Sequence, residues 1–316
     1  MQLNLAWRPL FACLLALVCT LYGTVPAFAQ DEEEELPLPE DVSMQTKDGV
    51  ELKATFYGSL LGKDAVPVIL LHGYKGKRQD FAELALTLQN AGHAVLVPDL
   101  RGHGDSTKQL RYGVGPSINL DASKLRKEDI IAMSAASGDV EECKKFLLRK
   151  NNSGELNIEK LCVVGAEMGA TVAVNWAALD WSWPPIATGK QGQDVRALVL
   201  LSPELSFKGV PITAALNHPA LQRELSVLMI VGRADTSSLR DAVRMEKLFA
   251  KLRPAPPTDE KERLEQQDLF FYRLDTNLGG TKLLGEKSLK AIPMIVAFIQ
   301  LRLVDKTFAW SDRSKK

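Results

Sequence analysis

The sequence predicts an α/β fold: a mostly parallel central sheet with helices on both faces and a small lid segment. Three observations carry this expectation. From about Val42 onward, short apolar runs alternate with helical-period segments, the pattern of a sheet flanked by helices. Some runs, AVPVILLHG among them, are continuously apolar, as strands buried on both faces must be. VVGAEMGATVA (Val163–Ala173) sets a strand, a tight Gly-x-x-x-Gly turn and small helix-opening residues in succession.

The elements follow in order. VSMQTKD and VELKATFYGS read as a leading hairpin that turns at Asp48-Gly49. The AVPVILLHG strand leads through GYKGKRQ into a helix, DFAELALTLQNAG, stopped by Gly92. HAVLVPDLRGHGDS supplies the next strand and a glycine-rich loop, and a polar stretch runs to one amphipathic helix, EDIIAMSAASGDVEECKKFLLRK. IEKLCVVGA is the strand entering the tight turn and MGATVAVNWAAL the helix leaving it. VRALVLLSPE, SVLMIVGRAD and DLFFYRLDT are three further strands, with a helix over SLRDAVRMEKLFAKL. The span between Glu204 and Glu224 is short, so any lid is small; RPAPPTDEKERLEQQ reads as a polar surface connection. The closing helix covers roughly SLKAIPMIVAFIQLRLVD, with Pro293 bending it or marking its start.

Outside this domain, expected over residues 42–305, the chain divides into a signal peptide (1–29), an acidic leader (30–41) and a polar tail (306–316). Arg8, the apolar run LFACLLALVCTLYG and Ala27-Phe28-Ala29 fit an export signal cleaved after Ala29. The run is short of the ~20 residues a membrane span needs, so no stable span is expected after cleavage; an uncleaved anchor is the alternative. The mature protein would then be periplasmic or extracellular. QDEEEELPLPED reads as a solvated, flexible leader.

Composition excludes several classes. Lysine plus arginine (39) equals aspartate plus glutamate (39), which argues against a nucleic-acid binder. The four histidines are scattered and no zinc spacing exists, so no metal and no cofactor is expected. Cys143 and Cys162 could pair in an oxidising compartment, but Cys162 lies in a buried-looking strand, and two buried thiols is the favoured reading.

LLHGYKG, PDLRGHGDS and VGAEMGA, in this order, resemble the His-Gly loop, the Asp-x-Arg-Gly-His-Gly-x-Ser loop and the nucleophile elbow of the α/β-hydrolase fold family, in particular its serine-aminopeptidase-like and lysophospholipase-like bacterial branches. The resemblance implies a triad of nucleophile, histidine and acid, with two backbone donors for an oxyanion. The nucleophile slot holds Glu167. MIVGRADTS places Asp235 in the acid slot, though capping the following helix alone would justify an aspartate there. TNLGGTKLL places Gly279 where the family's histidine belongs, and no histidine occurs after His218. The resemblance makes His72 and His103 structural, and His93 opens a strand.

The oxyanion donors would be the backbone N–H groups of Met168 and of Tyr74, which follows Gly73. Because a helix N-terminus attracts anions, the ionised Glu167 carboxylate is expected to fold back onto those two donors. These slots imply a hydrolase fold without triad catalysis that binds a small-molecule or protein ligand. The alternative is an active esterase- or peptidase-like hydrolase using Glu167.

Overall fold

The computed structural model describes residues 35–111, 115–187 and 189–314. The expected signal peptide and residues 30–34 of the acidic leader lie outside the described residues, and the leader's last two residues, Glu40 and Asp41, already belong to the first strand. Strands β1 (Glu40–Gln45) and β2 (Val50–Tyr57) form the antiparallel hairpin, Glu40 opposite Phe56 and Gln45 opposite Glu51. β3 (Pro67–Leu71) leads through a 3-10 turn into α1 (Ala82–Asn90), and β4 (Ala94–Pro98) follows. Two short strands come next, β5 (Lys108–Gln109) and β6 (Ile118–Asn119).

The single amphipathic helix expected after them is two helices, α2 (Lys127–Met133) and α3 (Asp139–Asn152). The break has a packing cause. Asp139, the first residue of α3, is fully buried and accepts hydrogen bonds from the Arg101 amide and from Arg101 Nε, each 2.8 Å. A continuous helix would not turn that carboxylate onto Arg101.

β7 (Leu161–Ala166) enters the tight turn and α4 (Met168–Ser182) leaves it. β8 (Val195–Leu201) is followed by the small lid: β9 (Ser206–Phe207) paired with β10 (Val210–Pro211), then α5 (Thr213–Leu216) and α6 (Pro219–Arg223). β11 (Ser226–Gly232), α7 (Thr236–Ala250) and β12 (Leu269–Leu274) complete the sheet. The connection before β12 contains α8 (Glu260–Gln266), which was not expected there; Asp259 caps it, accepting from the Glu262 N–H at 2.9 Å. α9 (Lys282–Gly285) and α10 (Ala291–Ile299) close the fold, and α10 runs on as a π-helix over Gln300–Val304. Pro293 falls in the first turn of α10, so it marks a start, where its missing N–H has no helical acceptor.

The sheet order is β12-β11-β8-β7-β3-β4-β2, with β5-β6 continuing from β2 and β1 also paired to it. β12, β11, β8, β7, β3 and β4 are mutually parallel, while β2 runs antiparallel to β4. Alternate side chains serve two cores. Ile69, Leu71 and Val163 pack beneath α3 and α4, whereas Val68, Leu70 and Val164 pack beneath α1 and α10. Cys143 and Cys162 are separate buried thiols, and burial raises both well above the usual thiol range. Two contacts tie down the described residues that follow Val304: Asn157 Nδ2 donates to the Phe308 carbonyl at 2.9 Å, and Arg313 pairs with Asp194 at 2.5 Å. Among the described residues no helix is long and apolar enough to cross a membrane.

Candidate functional site

Parallel strands deliver their following loops to one edge of the sheet, where ligands bind in open α/β folds. Here that edge gathers the loops after β3 (Gly73, Tyr74), β7 (Glu167), β8 (Ser202), β11 (Asp235) and β12 (Gly279, Gly280).

The turn after β7 keeps the geometry of an elbow. Glu167 has φ 49° and ψ −110°, a strained conformation for a residue with a β-carbon. Its N–H donates to the Leu201 carbonyl at 2.9 Å, and its carbonyl accepts from Ala170 and Thr171. A β-carbon on Gly169 would collide with the Leu71 and His72 carbonyls, so only glycine lets α4 approach the end of β3 this closely.

The Glu167 side chain does not fold back onto the helix. It makes no capping hydrogen bond, and among the described residues neither the Met168 nor the Tyr74 N–H donates to it. The expectation that these amides hold the ionised carboxylate is corrected on that point. The chain instead extends across the edge between two loops. Oε2 lies 2.5 Å from where a β-carbon on Gly73 would stand, and Oε1 2.7 Å from the same position on Gly280. Two adjacent loops without side chains leave room there, and this outweighs the pull of the helix terminus. Burial raises the Glu167 carboxyl above its usual value, opposed by the positive charge of Lys282 and reinforced by Asp235.

Asp235 caps a helix and faces the loop after β12. Oδ1 accepts from the Ser238 N–H at 3.3 Å and so caps α7. Oδ2 points to Gly279, 2.9 Å from where its β-carbon would be. Asp235 and Gly279 therefore face each other.

Among the described residues no histidine bonds to Glu167. His72 donates from Nδ1 to the Gly73 carbonyl at 2.8 Å, while Nε2 accepts from the Leu100 N–H at 3.0 Å, tying the end of β3 to that of β4. Burial holds it neutral, its pKa lowered to about 4. His103 is buried and its Nδ1 bonds to the Arg101 carbonyl at 3.0 Å. His93 is buried at the start of β4, its pKa also lowered to about 4 by burial. His218 caps α6 and reaches Ser182 at 3.4 Å. Ser182 ends the 15-residue α4, about 20 Å from the elbow at 1.5 Å per residue.

The PDLRGHGDS loop is structural machinery. Asp99 accepts from the Arg78 N–H at 2.7 Å and the Asp105 N–H at 3.0 Å. Ser106 donates to the Asp99 carbonyl at 2.7 Å and accepts from the Lys53 N–H at 2.8 Å. Arg101 pairs with Asp139 and Asp48, both at 2.7 Å.

Three site residues were missed from sequence. Ser202 is 1% exposed, has φ 46°, and its hydroxyl has no partner. It lies 3.2 Å from the β-carbon position of Gly279. Burial raises the Glu204 carboxyl, with the charges of Glu167, Asp241 and Asp235 adding to the effect. Gly280 adopts φ +57° beside Glu167. Only the strand end at Leu201 was readable in advance; nothing local marks the residues after it. Among the described residues no three metal-binding side chains group together.

An elbow at the end of a central parallel strand, a strand-end acid and a His-Gly loop define a hydrolase-type site. The chain belongs to the alpha/beta hydrolase fold family, whose pattern matches residues 66–228. It is 27% identical over 216 residues to uncharacterized proteins from two strains of Mycobacterium tuberculosis, covering 63% of this chain and 63% of each relative. The chain thus spans less than two thirds of the length of these curated relatives. Among solved structures it is similar to an esterase of Pyrococcus furiosus, with a TM-score of 0.57 and 17% identity over 84% of this chain and 93% of that one. It is also similar to an esterase of Exiguobacterium antarcticum, with a TM-score of 0.52 and 14% identity over 83% and 100%. At these identities the two structures share the fold.

Proposed function

We propose that this α/β-hydrolase-fold protein is exported and binds a ligand at the strand-end site without triad catalysis. The observation that carries the reading is the pairing of Asp235 with Gly279. The acid faces a residue with no side chain, so nothing at that position can take a proton from a nucleophile. Glu167 supports it, because its carboxylate occupies the edge between Gly73 and Gly280 where an attacking group and substrate would meet. A hydrolase needs both nucleophile and base, and loss of either removes most of the rate. Export rests on the residue 1–29 sequence pattern; mass spectrometry of native material should find Gln30 as the N-terminus, and an attached leader would contradict it. Binding is tested by thermal shift against esters, peptides and acyl glycerols, with ester turnover followed in parallel.

One observation favours a second reading, hydrolysis through Glu167. Burial raises its carboxyl, which moves it toward the range of an effective general base for water. Turnover that is lost in Glu167→Gln would support that reading over the first.

A further inference from the structure

Gly279 and Gly280 are consecutive, and their Cα atoms lie about 3.8 Å apart. Asp235 Oδ2 approaches the first, 2.9 Å from its β-carbon position, and Glu167 Oε1 the second, 2.7 Å from its own. Two carboxylates thus converge on one dipeptide. Among the described residues neither forms an ion pair, and Glu204 has none either, whereas Asp241 nearby is paired with Arg240 at 3.3 Å. Lys282 acts on Glu167 only through space. Lys208, which meets Tyr74 in the loop after β3, is engaged with the Leu125 carbonyl at 2.8 Å and the Tyr74 hydroxyl at 3.3 Å.

A second, independent observation points to a ligand. Ser202 is 1% exposed, yet its hydroxyl has no hydrogen-bond partner. It is aimed at Gly279, 3.2 Å from the same β-carbon position that Asp235 approaches. A buried hydroxyl left unpaired costs stability, and a donor arriving over Gly279 would relieve it. Glu167, Asp235 and Gly279 are only half-buried, so the place can be reached from solvent.

We propose that this edge binds a primary ammonium group, seated over the Gly279-Gly280 dipeptide and donating to Asp235 and Ser202 at its first residue and Glu167 at its second. The proposal rests on the binding reading above and names the ligand's chemical class. The acceptor arrangement selects the group. Asp235 Oδ1 is committed to the Ser238 N–H, so Asp235 offers one oxygen; Glu167 turns Oε1 to Gly280 and Oε2 away to Gly73, so it too presents one oxygen here, and Ser202 adds the third acceptor. Three separate acceptors match the three N–H donors of an ammonium. A guanidinium prefers both oxygens of one carboxylate, and a quaternary ammonium has no donor.

The test uses the mature protein with n-butylammonium as probe, followed by ligand-observed NMR and calorimetry. Butyrate and n-butyltrimethylammonium serve as controls, and urea midpoints verify that each variant folds. Butylammonium is expected to bind and the two controls are not. Glu167→Gln and Asp235→Asn should each weaken it roughly tenfold or more, the scale of a lost hydrogen bond to a charged group; Ser202→Ala should weaken it less. Failure of butylammonium to bind overturns the proposal, as does equal binding of either control or unchanged affinity in folded Glu167→Gln. Turnover of p-nitrophenyl butyrate on the same samples separates the two levels. Glu167-dependent turnover refutes the non-catalytic reading, whereas absence of both turnover and ammonium binding refutes the ammonium site alone.

Discussion

The Glu167 carboxylate lies against Gly280, Oε1 standing 2.7 Å from where that residue's β-carbon would be, and Gly280 has φ +57°. The side chain in the elbow and the backbone of the loop after β12 are therefore matched in space. A glutamate fits the elbow because the two loops beside it carry glycine at 73 and at 280. A side chain at 280 would meet the carboxylate directly.

This coupling is measurable. Gly280→Ala should destabilise by roughly 1–3 kcal/mol, because it adds a β-carbon at positive φ and against Glu167. In a Glu167→Ala background the contact is gone and only the backbone strain remains. A double-mutant cycle by urea denaturation should give a coupling of at least about 0.5 kcal/mol. Additive losses would show that the two residues do not press on one another.

The Glu167 charge should cost stability at neutral pH. Its carboxyl is raised from 4.5 by burial, so the folded state holds that proton more tightly than the unfolded state does. Stability contributed by this group is full below about 4.5 and is lost as pH rises through the raised folded value. Glu167→Gln removes the loss, so it should be more stable than the wild type at pH 7, with the gap closing near pH 4. Denaturation across that range decides; a less stable glutamine variant at pH 7 would mean that the carboxylate is held by donors.

Arg101 secures the loop that positions the site's edge. Arg101→Met leaves the fully buried Asp139 its bond from the residue 101 amide but removes its guanidinium partner, and breaking one side of a buried pair costs about 3–5 kcal/mol. The urea midpoint should fall accordingly, and Asp139→Asn in the same chain should recover part of the loss. A midpoint unchanged in Arg101→Met would show that water replaces the guanidinium.

Much of this architecture is legible in the chain itself. β3 and β7 are buried along their whole length, which is why their apolar runs stand out without alternation. The elbow is recognisable because Gly165 and Gly169 answer to close backbone approaches that no other residue permits. The break before Asp139 was not legible, since it depends on Arg101, 38 residues earlier. α8 was hidden by its exposed, polar composition, in which no apolar stripe reports a helix. The direction of Glu167 was misjudged because a local argument, the helix N-terminus, was set against a tertiary one, the open space at Gly73 and Gly280.

Restoring the triad should need two changes. Glu167→Ser alone supplies a hydroxyl with no base and should stay inactive on esters. Gly279 has no positive φ and faces Asp235, so Gly279→His should set an imidazole beside the acid once the Asp235 side chain shifts slightly. The double variant should exceed either single variant by about 100-fold or more, the usual contribution of a positioned base. Equal rates in all three would show that the acid slot no longer orients a histidine.

Steady-state turnover of p-nitrophenyl acetate by the purified protein shows whether the native site hydrolyses esters through a triad. The expected rate is no greater than that of Glu167→Ala and within the residual ~10³–10⁴-fold over water that an oxyanion hole and binding can supply. Native turnover at 1 per second or above, about the lower end of ordinary enzyme rates, abolished by Glu167→Gln, would contradict the account.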